Sequence, residues 1–497
     1  MNLKGTITAI IFFGMLLPFL SKAQQTSKTD SIDLFLMQKM RNEQIPALQL
    51  AVIRQGKIIK LNSYGTANPE NSIPATDQSI FSINSITKAF VGIAIMQLAE
   101  EEKLKVSDPI SLYIDSLPVP WQKITLKQVL THTSGLPDIT DADGEQLLGD
   151  GDENLAWKKV RMLPLEFNTG DKFSYNQTGY VILGKIITKL SGVHFTKFIE
   201  DRQFKAAGMD LTRFGDSFDI VHNSAGAYTL FKYVGGRRTK LDSPGTAYKQ
   251  FPVFYRTAAG ILSTARDMAN WIIALQNGKL LKQQSSIETL WEPALLNNGK
   301  TGGFNQLTNG YALGWPTVTR ASHPAVAPVG GGRSAVFIYT KDDLAIVVLT
   351  NLMGSNPDQY VDEIAGYYIP EMHQSNGFGL PPAIQKLRAA LLKHGFEQAP
   401  IVLANLKKKT PSFELNENEL NAWAYLLLKN KETKQALSIF KLNVKLYPES
   451  ANTYDSLGEM QELMGDTNAA LLNYKKSLAL NPDHKNAFNR IKILSGN

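Results

Sequence analysis

Cysteine is absent from the 497-residue chain. That excludes disulfides, thiolate catalysis, cysteine-based zinc sites and lipidation on cysteine. Blocks of like charge are absent as well. The net charge of +7 is modest for this length, which argues against nucleic acid as a partner. Past the N-terminus no segment is apolar enough to span a bilayer, so no stable membrane insertion is expected. The chain also lacks a Gly-x-Ser-x-Gly elbow and a His-Glu-x-x-His pair, so α/β-hydrolase and zinc-protease chemistry have no motif to stand on. What is present is the balance of a soluble globular protein, 43% hydrophobic and 20% charged, at a length that implies more than one domain.

The first residues read as a leader. Lys4 is followed by the apolar run "ITAIIFFGMLLPFL" and by small residues in "SKAQQ". A signal peptide over residues 1–23, cut after Ala23, is expected, which places the mature protein in a periplasm or outside the cell. A domain of this size buries enough core there without disulfides.

Next, "PALQLAVIRQGKIIKLNSYGTAN" alternates around Gln55-Gly56 as a β-hairpin does. "SITKAFVGIAIMQLAEEEKL" is apolar on most sides until Glu100, the mark of a buried helix. Residues 125–205 read as helices and loops. "GGGRSAVFIYTKDDLAIVVLTN" reads as two apolar strands joined at Lys341-Asp342-Asp343. Strands, a helical middle, then strands predict an α+β domain over residues 30–370 whose sheet draws on both ends. A linker is expected over residues 371–382, then a helical region over 383–497. Within it Ala436, Leu437, Phe440 and Pro448 recur as Ala470, Leu471, Tyr474 and Pro482. The 34-residue period resembles tetratricopeptide repeats, two copies over about residues 416–482, a module that could take a protein partner.

"FSINSITKAF" carries Ser85 and Lys88. Positions i and i+3 share a helix face, so the Lys88 amine is expected to reach the Ser85 hydroxyl. Burial in an apolar helix disfavours the ammonium, and a neutral amine can take a serine proton. Free N–H groups at the helix start can stabilise an oxyanion. Spacing alone is not decisive, because Ser438 and Lys441 repeat it on what reads as a solvated helix face.

Context separates the two copies. "FSINSITKAF" before an apolar helix resembles the first motif of the serine β-lactamase and penicillin-binding protein superfamily, in the branch of class C β-lactamases, D-alanyl-D-alanine carboxypeptidases and related esterases. "LKQVLTHTSGLPD", "FSYNQTGYVILGKII", "AAGILSTARDMANW", "YALGW" and "AIVVLTN" follow in that branch's order. The resemblance covers roughly residues 35–368. It implies an antiparallel sheet flanked by helices with an all-helical subdomain. It also implies a Ser85 acyl-enzyme, with Lys88 and Tyr175 moving protons and no metal or organic cofactor. In the family's Tyr-x-Asn motif, Gln177 stands at the Asn position.

For the third motif, Lys-x-Gly or His-x-Gly, the literal Lys300-Thr301-Gly302 lies in a polar loop before "YALGW", too early in the order. "HPAVAPVGGGRSAVF" fits better. It puts Gly330 at the motif glycine, Gly331 at the oxyanion N–H and Pro328 where a cation is expected. His323 would reach the site only if the strand bulges at Pro324. His132 reads as a loop histidine bonded to backbone. Substrates implied by the resemblance are D-alanyl peptides, small esters and β-lactams, with an esterase or D-amino-acid peptidase favoured. Pro328 motivates another reading, a weak catalyst that binds a peptidoglycan fragment while the repeats recruit a partner.

Overall fold

The computed structural model describes residues 30–141, 146–234, 237–248, 250–373 and 376–495. The leader expected over residues 1–23 lies outside them. Among the described residues no helix is long and apolar enough to cross a membrane.

The hairpin at Gln55-Gly56 forms as the alternation requires. Its strands are Ala47–Arg54 and Lys57–Asn68, and both turn residues take positive φ, 53° and 63°. The late hairpin pairs Ser334–Tyr339 with Leu344–Thr350. The two hairpins meet in the sheet centre, where Ala47–Arg54 runs antiparallel to Leu344–Thr350 with Leu50 opposite Val348. Short strands at Ala325–Val326, Pro316–Val318 and Gly310–Tyr311 extend the sheet beyond Ser334–Tyr339. Val329–Gly330 pairs with the entry of that same strand. The sheet thus joins the two ends of the domain.

Both central strands, Ser334–Tyr339 and Leu344–Thr350, are buried along their whole length because helices cover each face. One face packs against the helices Thr87–Glu100 and Ala265–Gln276. The other packs against Ser31–Glu43 and Val361–Gly366. Thr87–Glu100 has no polar face because it has no solvent side: every residue from Thr87 to Leu98 is buried. Phe90 stacks on Trp271, 3.9 Å between centroids, and Trp271 stacks on Trp315 at 5.4 Å. The "YALGW" turn lies so close that a Cβ on Gly92 would stand 2.1 Å from the Leu313 carbonyl oxygen. The middle of the chain supplies helices Glu153–Arg161 and Thr178–Ser191, which cap one end of this core.

After Pro370 the chain turns helical around a separate core that includes Trp423, Phe440 and Met460. Helices Glu417–Lys429 and Thr433–Leu446 pack as a pair. The pair Ala451–Leu463 and Thr467–Leu480 repeats it with the same two helix lengths. In the segment expected as a linker, Met372 is fully buried and Phe378 lies under the Arg320 guanidinium at 4.7 Å, so part of it packs on the sheet domain.

Candidate active site

Ser85 sits in a tight 3-10 turn, Asn84–Ile86, that runs into the buried helix. Asn84 takes φ 49°, and its side-chain amide donates to the Ser82 carbonyl at 3.2 Å. A short polar side chain that bonds locally is the residue type that tolerates this left-handed conformation. Ile83, Asn84 and Ile86 are buried while Ser85 keeps partial access to solvent.

The Lys88 side chain is completely buried. Its amine donates to the Gln177 Oε1 at 2.8 Å and to the Ala258 carbonyl at 2.7 Å. It also stands 4.7 Å from the Tyr175 ring centre and 5.0 Å from that of Tyr180. Burial pulls its pKa down to about 7, against a weaker upward pull from the Asp138 charge. A direct Ser85–Lys88 hydrogen bond, expected from the spacing, is not formed. A buried amine needs acceptors, and two carbonyl oxygens supply them. The Ser85 hydroxyl lies near enough to the Tyr175 phenol to act on its pKa. Burial pushes the Tyr175 pKa well up, contact with Ser85 pulls it back, and the Asp138 charge adds to the rise. A neutral amine has two N–H bonds and one lone pair. With both N–H groups spent on carbonyl oxygens, the lone pair of the neutral amine is left free to accept a proton.

Tyr175 lies on a loop gripped by His132. The His132 carbonyl accepts the Ser174 N–H at 2.9 Å, and its Nδ1 accepts the Asn176 N–H at 3.0 Å. Both chain neighbours of Tyr175 are therefore tied to one residue. The imidazole packs on Tyr175 at 4.5 Å and on Tyr311 at 4.7 Å, and burial holds its pKa well below the ordinary value, so it stays neutral. Asn176 turns inward, donating to the Leu136 carbonyl and accepting the Gly179 N–H, which leaves Gln177 as the amide that faces Lys88.

Gly330 and Gly331 line the other side. A Cβ on Gly330 would lie 2.0 Å from the Ile83 carbonyl oxygen, and one on Gly331 would lie 2.9 Å from the Asn84 side chain. The strand entry thus rests against the turn that carries Ser85. Among the described residues, neither the Ser85 N–H nor the Gly331 N–H has an acceptor. Two N–H groups on adjoining segments, both unpaired, suit a developing oxyanion. Pro328 is held in strand geometry, its carbonyl accepting the Val336 N–H at 2.9 Å.

His323 is not brought to this group. The strand after it pairs Ala325 with Tyr339, so His323 sits at the far end of Ser334–Tyr339 from Gly330. At ~3.4 Å per residue the separation along that six-residue strand is about 17 Å. There His323 Nδ1 meets Asp342 at 2.8 Å and its ring meets Phe378. The bulge it needed is absent because Ala325–Val326 is paired on both sides. Lys300 is exposed in a turn closed by the Leu296 N–H on its carbonyl, in keeping with a polar loop. Ser438 bonds the Lys434 carbonyl one helical turn back, as on a solvated helix.

Sequence reasoning missed three parts of the site. The Ala258 carbonyl has no side-chain signal. Phe304, 40% exposed and 5.0 Å from Tyr175, comes from the loop that carries the Lys-Thr-Gly decoy. Asp138 ends the "THTSGLPD" run and accepts the Gln177 N–H at 3.2 Å. Burial raises the Asp138 pKa, while backbone N–H groups and Lys88 oppose the rise.

A fully buried lysine, a serine at the head of its helix and a tyrosine between them, on an antiparallel sheet flanked by helices, define the class of β-lactamase-fold serine hydrolases. Residues 32–367 match the family described as Beta-lactamase, and the chain belongs to it. It is 25% identical over 351 residues to "Protein flp" of Staphylococcus aureus (strain MRSA252), a match that covers 67% of this chain and 65% of that protein, so the chain spans just under two thirds of such relatives. Among solved structures, the octameric penicillin-binding protein homologue from Pyrococcus abyssi aligns with TM-score 0.59 and 23% identity, covering 72% of this chain and 80% of that one. The D-amino acid amidase from Ochrobactrum anthropi SV3 aligns with TM-score 0.57 and 20% identity, covering 67% and 96%. At these identities the structures speak for the fold alone.

Proposed function

We propose that the protein is an exported serine hydrolase that opens ester or amide carbonyls through a Ser85 acyl-enzyme. Ser85 Oγ attacks the carbonyl carbon as its proton passes to Tyr175 and the phenol proton passes to neutral Lys88. The Ser85 and Gly331 N–H groups hold the oxyanion. Collapse expels the leaving group, which takes the proton back along the same relay. Water then repeats the sequence on the ester and releases the acid. Gln177 orients Lys88 through its Oε1 and keeps its amide N–H groups for substrate. The substrate classes are small esters and peptides or amides of D-amino acids. The C-terminal helix pairs would offer a protein partner a surface, and the leader over residues 1–23 would carry the chain out of the cytoplasm.

The observation that carries this reading is the buried Lys88 amine, with its pKa near neutrality and 4.7 Å from the Tyr175 ring centre, together with a Ser85 hydroxyl near enough to lower the phenol's pKa. Treatment with a fluorophosphonate and, separately, with a penicillin, followed by intact mass, tests it. At least one adduct of one equivalent is expected in the wild type and none in Ser85→Ala. No Ser85-dependent adduct with either probe would leave the binding-protein reading that Pro328 suggests.

A further inference from the structure

The cleft beside Tyr175 has one sign of charge. It encloses about 600 Å³ between Tyr175 and Gln177 on one side and Leu163 and Leu165 on another. Among the described residues, the ionisable side chains that line it, apart from Tyr175, are all carboxylic, Asp138 among them, and no lysine, arginine or histidine does so. The protein as a whole is basic, with a net charge of +7, so this is a local choice and not a reflection of composition.

Asp138 stands nearest the chemistry. Its Oδ1 accepts the N–H groups of Gln177 at 3.2 Å and Thr140 at 3.3 Å. No side chain among the described residues hydrogen-bonds or ion-pairs with it. Lys88, the nearest cation, has given its two hydrogen bonds to Gln177 and Ala258. The carboxylate is thus aimed and fixed by backbone but paired with no side chain, on the wall of a cleft that Tyr175 and Gln177 also line. In the sequence, Pro328 stands where the resemblance puts the cation of the third motif. A fixed carboxylate without a side-chain partner among the described residues thus faces a cleft of its own sign and awaits a cation.

We infer that Asp138 binds the free ammonium group of the substrate, so that the preferred substrates are amino-acid esters and amides with an unblocked amine and not peptides recognised by a terminal carboxylate. The inference rests on the acyl-enzyme reading above. A hydrogen-bonded ion pair in a half-buried cleft favours the charged substrate by roughly tenfold to a hundredfold.

The test compares alanine para-nitrophenyl ester, its N-acetyl derivative and the propionyl ester. All are measured at pH 6.5, below the α-amine pKa of ~7.7. The wild type should favour the free amine over the propionyl ester at least tenfold in kcat/KM, with the acetylated ester no better than the propionyl one. Asp138→Asn should collapse that ratio to within about threefold of one, and Asp138→Glu should restore part of it. A ratio near one in the wild type, or a ratio unchanged in Asp138→Asn, overturns the inference. The ratio cancels any general loss of activity in the variants. Fluorophosphonate labelling of Ser85 without an amine preference would sink only the role of Asp138. Failure of labelling and of all three esters would sink the hydrolase reading with it.

Discussion

Lys88 offers the sharpest quantitative prediction. Its pKa falls from the ordinary 10.5 to about 7 because the folded protein strips water from the ammonium. At ~1.4 kcal/mol per pH unit this amounts to ~5 kcal/mol. The sign follows from proton counts. Between about 7 and 10.5 the unfolded chain holds the proton and the folded chain does not, so stability from this group rises with pH across that window. Below about pH 7 both states are protonated and the full cost of burying the charge is present. Lys88→Met removes the group and serves as the reference. Unfolding in guanidinium can be followed by the fluorescence of Trp271, which stacks on Phe90 of the Lys88 helix, and of Trp315, which stacks on Trp271. The stability of the wild type relative to Lys88→Met should climb by ~3 kcal/mol from pH 7.5 to 9.5. The rate of Ser85 acylation should rise about tenfold from pH 5 to 6 and level off above 7, as the amine becomes neutral. A stability difference independent of pH together with an acylation rate flat from pH 5 to 8 would refute the reasoning.

Further predictions concern the rest of the site. Tyr175→Phe should fold normally by circular dichroism yet lose roughly a hundredfold or more in acylation rate, since it removes the relay between Ser85 and Lys88. Gly330→Ala would drive a methyl into the Ile83 carbonyl, so it should lower stability by ~1–3 kcal/mol and abolish labelling of Ser85, read by denaturant melts and intact mass. Lys300→Ala and His323→Ala should each leave esterase kinetics within twofold of wild type, because neither side chain reaches the cleft. A large loss in either would return that residue to the third motif.

The elements legible in the sequence were those with strong periodicity or a closed local rule. The Gln55-Gly56 hairpin, the all-apolar helix after Ser85 and the hairpin ending at Thr350 all formed where the pattern put them. The choice of Ser85 and Lys88 over Ser438 and Lys441 rested on the buried helix that Ser85 opens and on the ordered motifs downstream; Lys88 is buried, while Ser438 bonds back to its own helix. Three-dimensional hydrogen bonding was not legible. Spacing puts Lys88 under Ser85, but the acceptors that a buried amine requires come from Gln177 and Ala258, far away in sequence. His323 failed for a related reason: a strand paired on both edges has no slack for a bulge. Asp138 escaped notice because a lone aspartate after Gly-Leu-Pro carries no spacing signal, and its meaning comes from the cleft it faces.

The central claim is that Ser85 forms an acyl-enzyme on this constellation. Rapid mixing of the full chain with excess para-nitrophenyl ester measures it most directly. The account predicts a burst of one nitrophenolate per chain with a linear phase after it, and neither above background in Ser85→Ala. Turnover in Ser85→Ala equal to the wild type would contradict it.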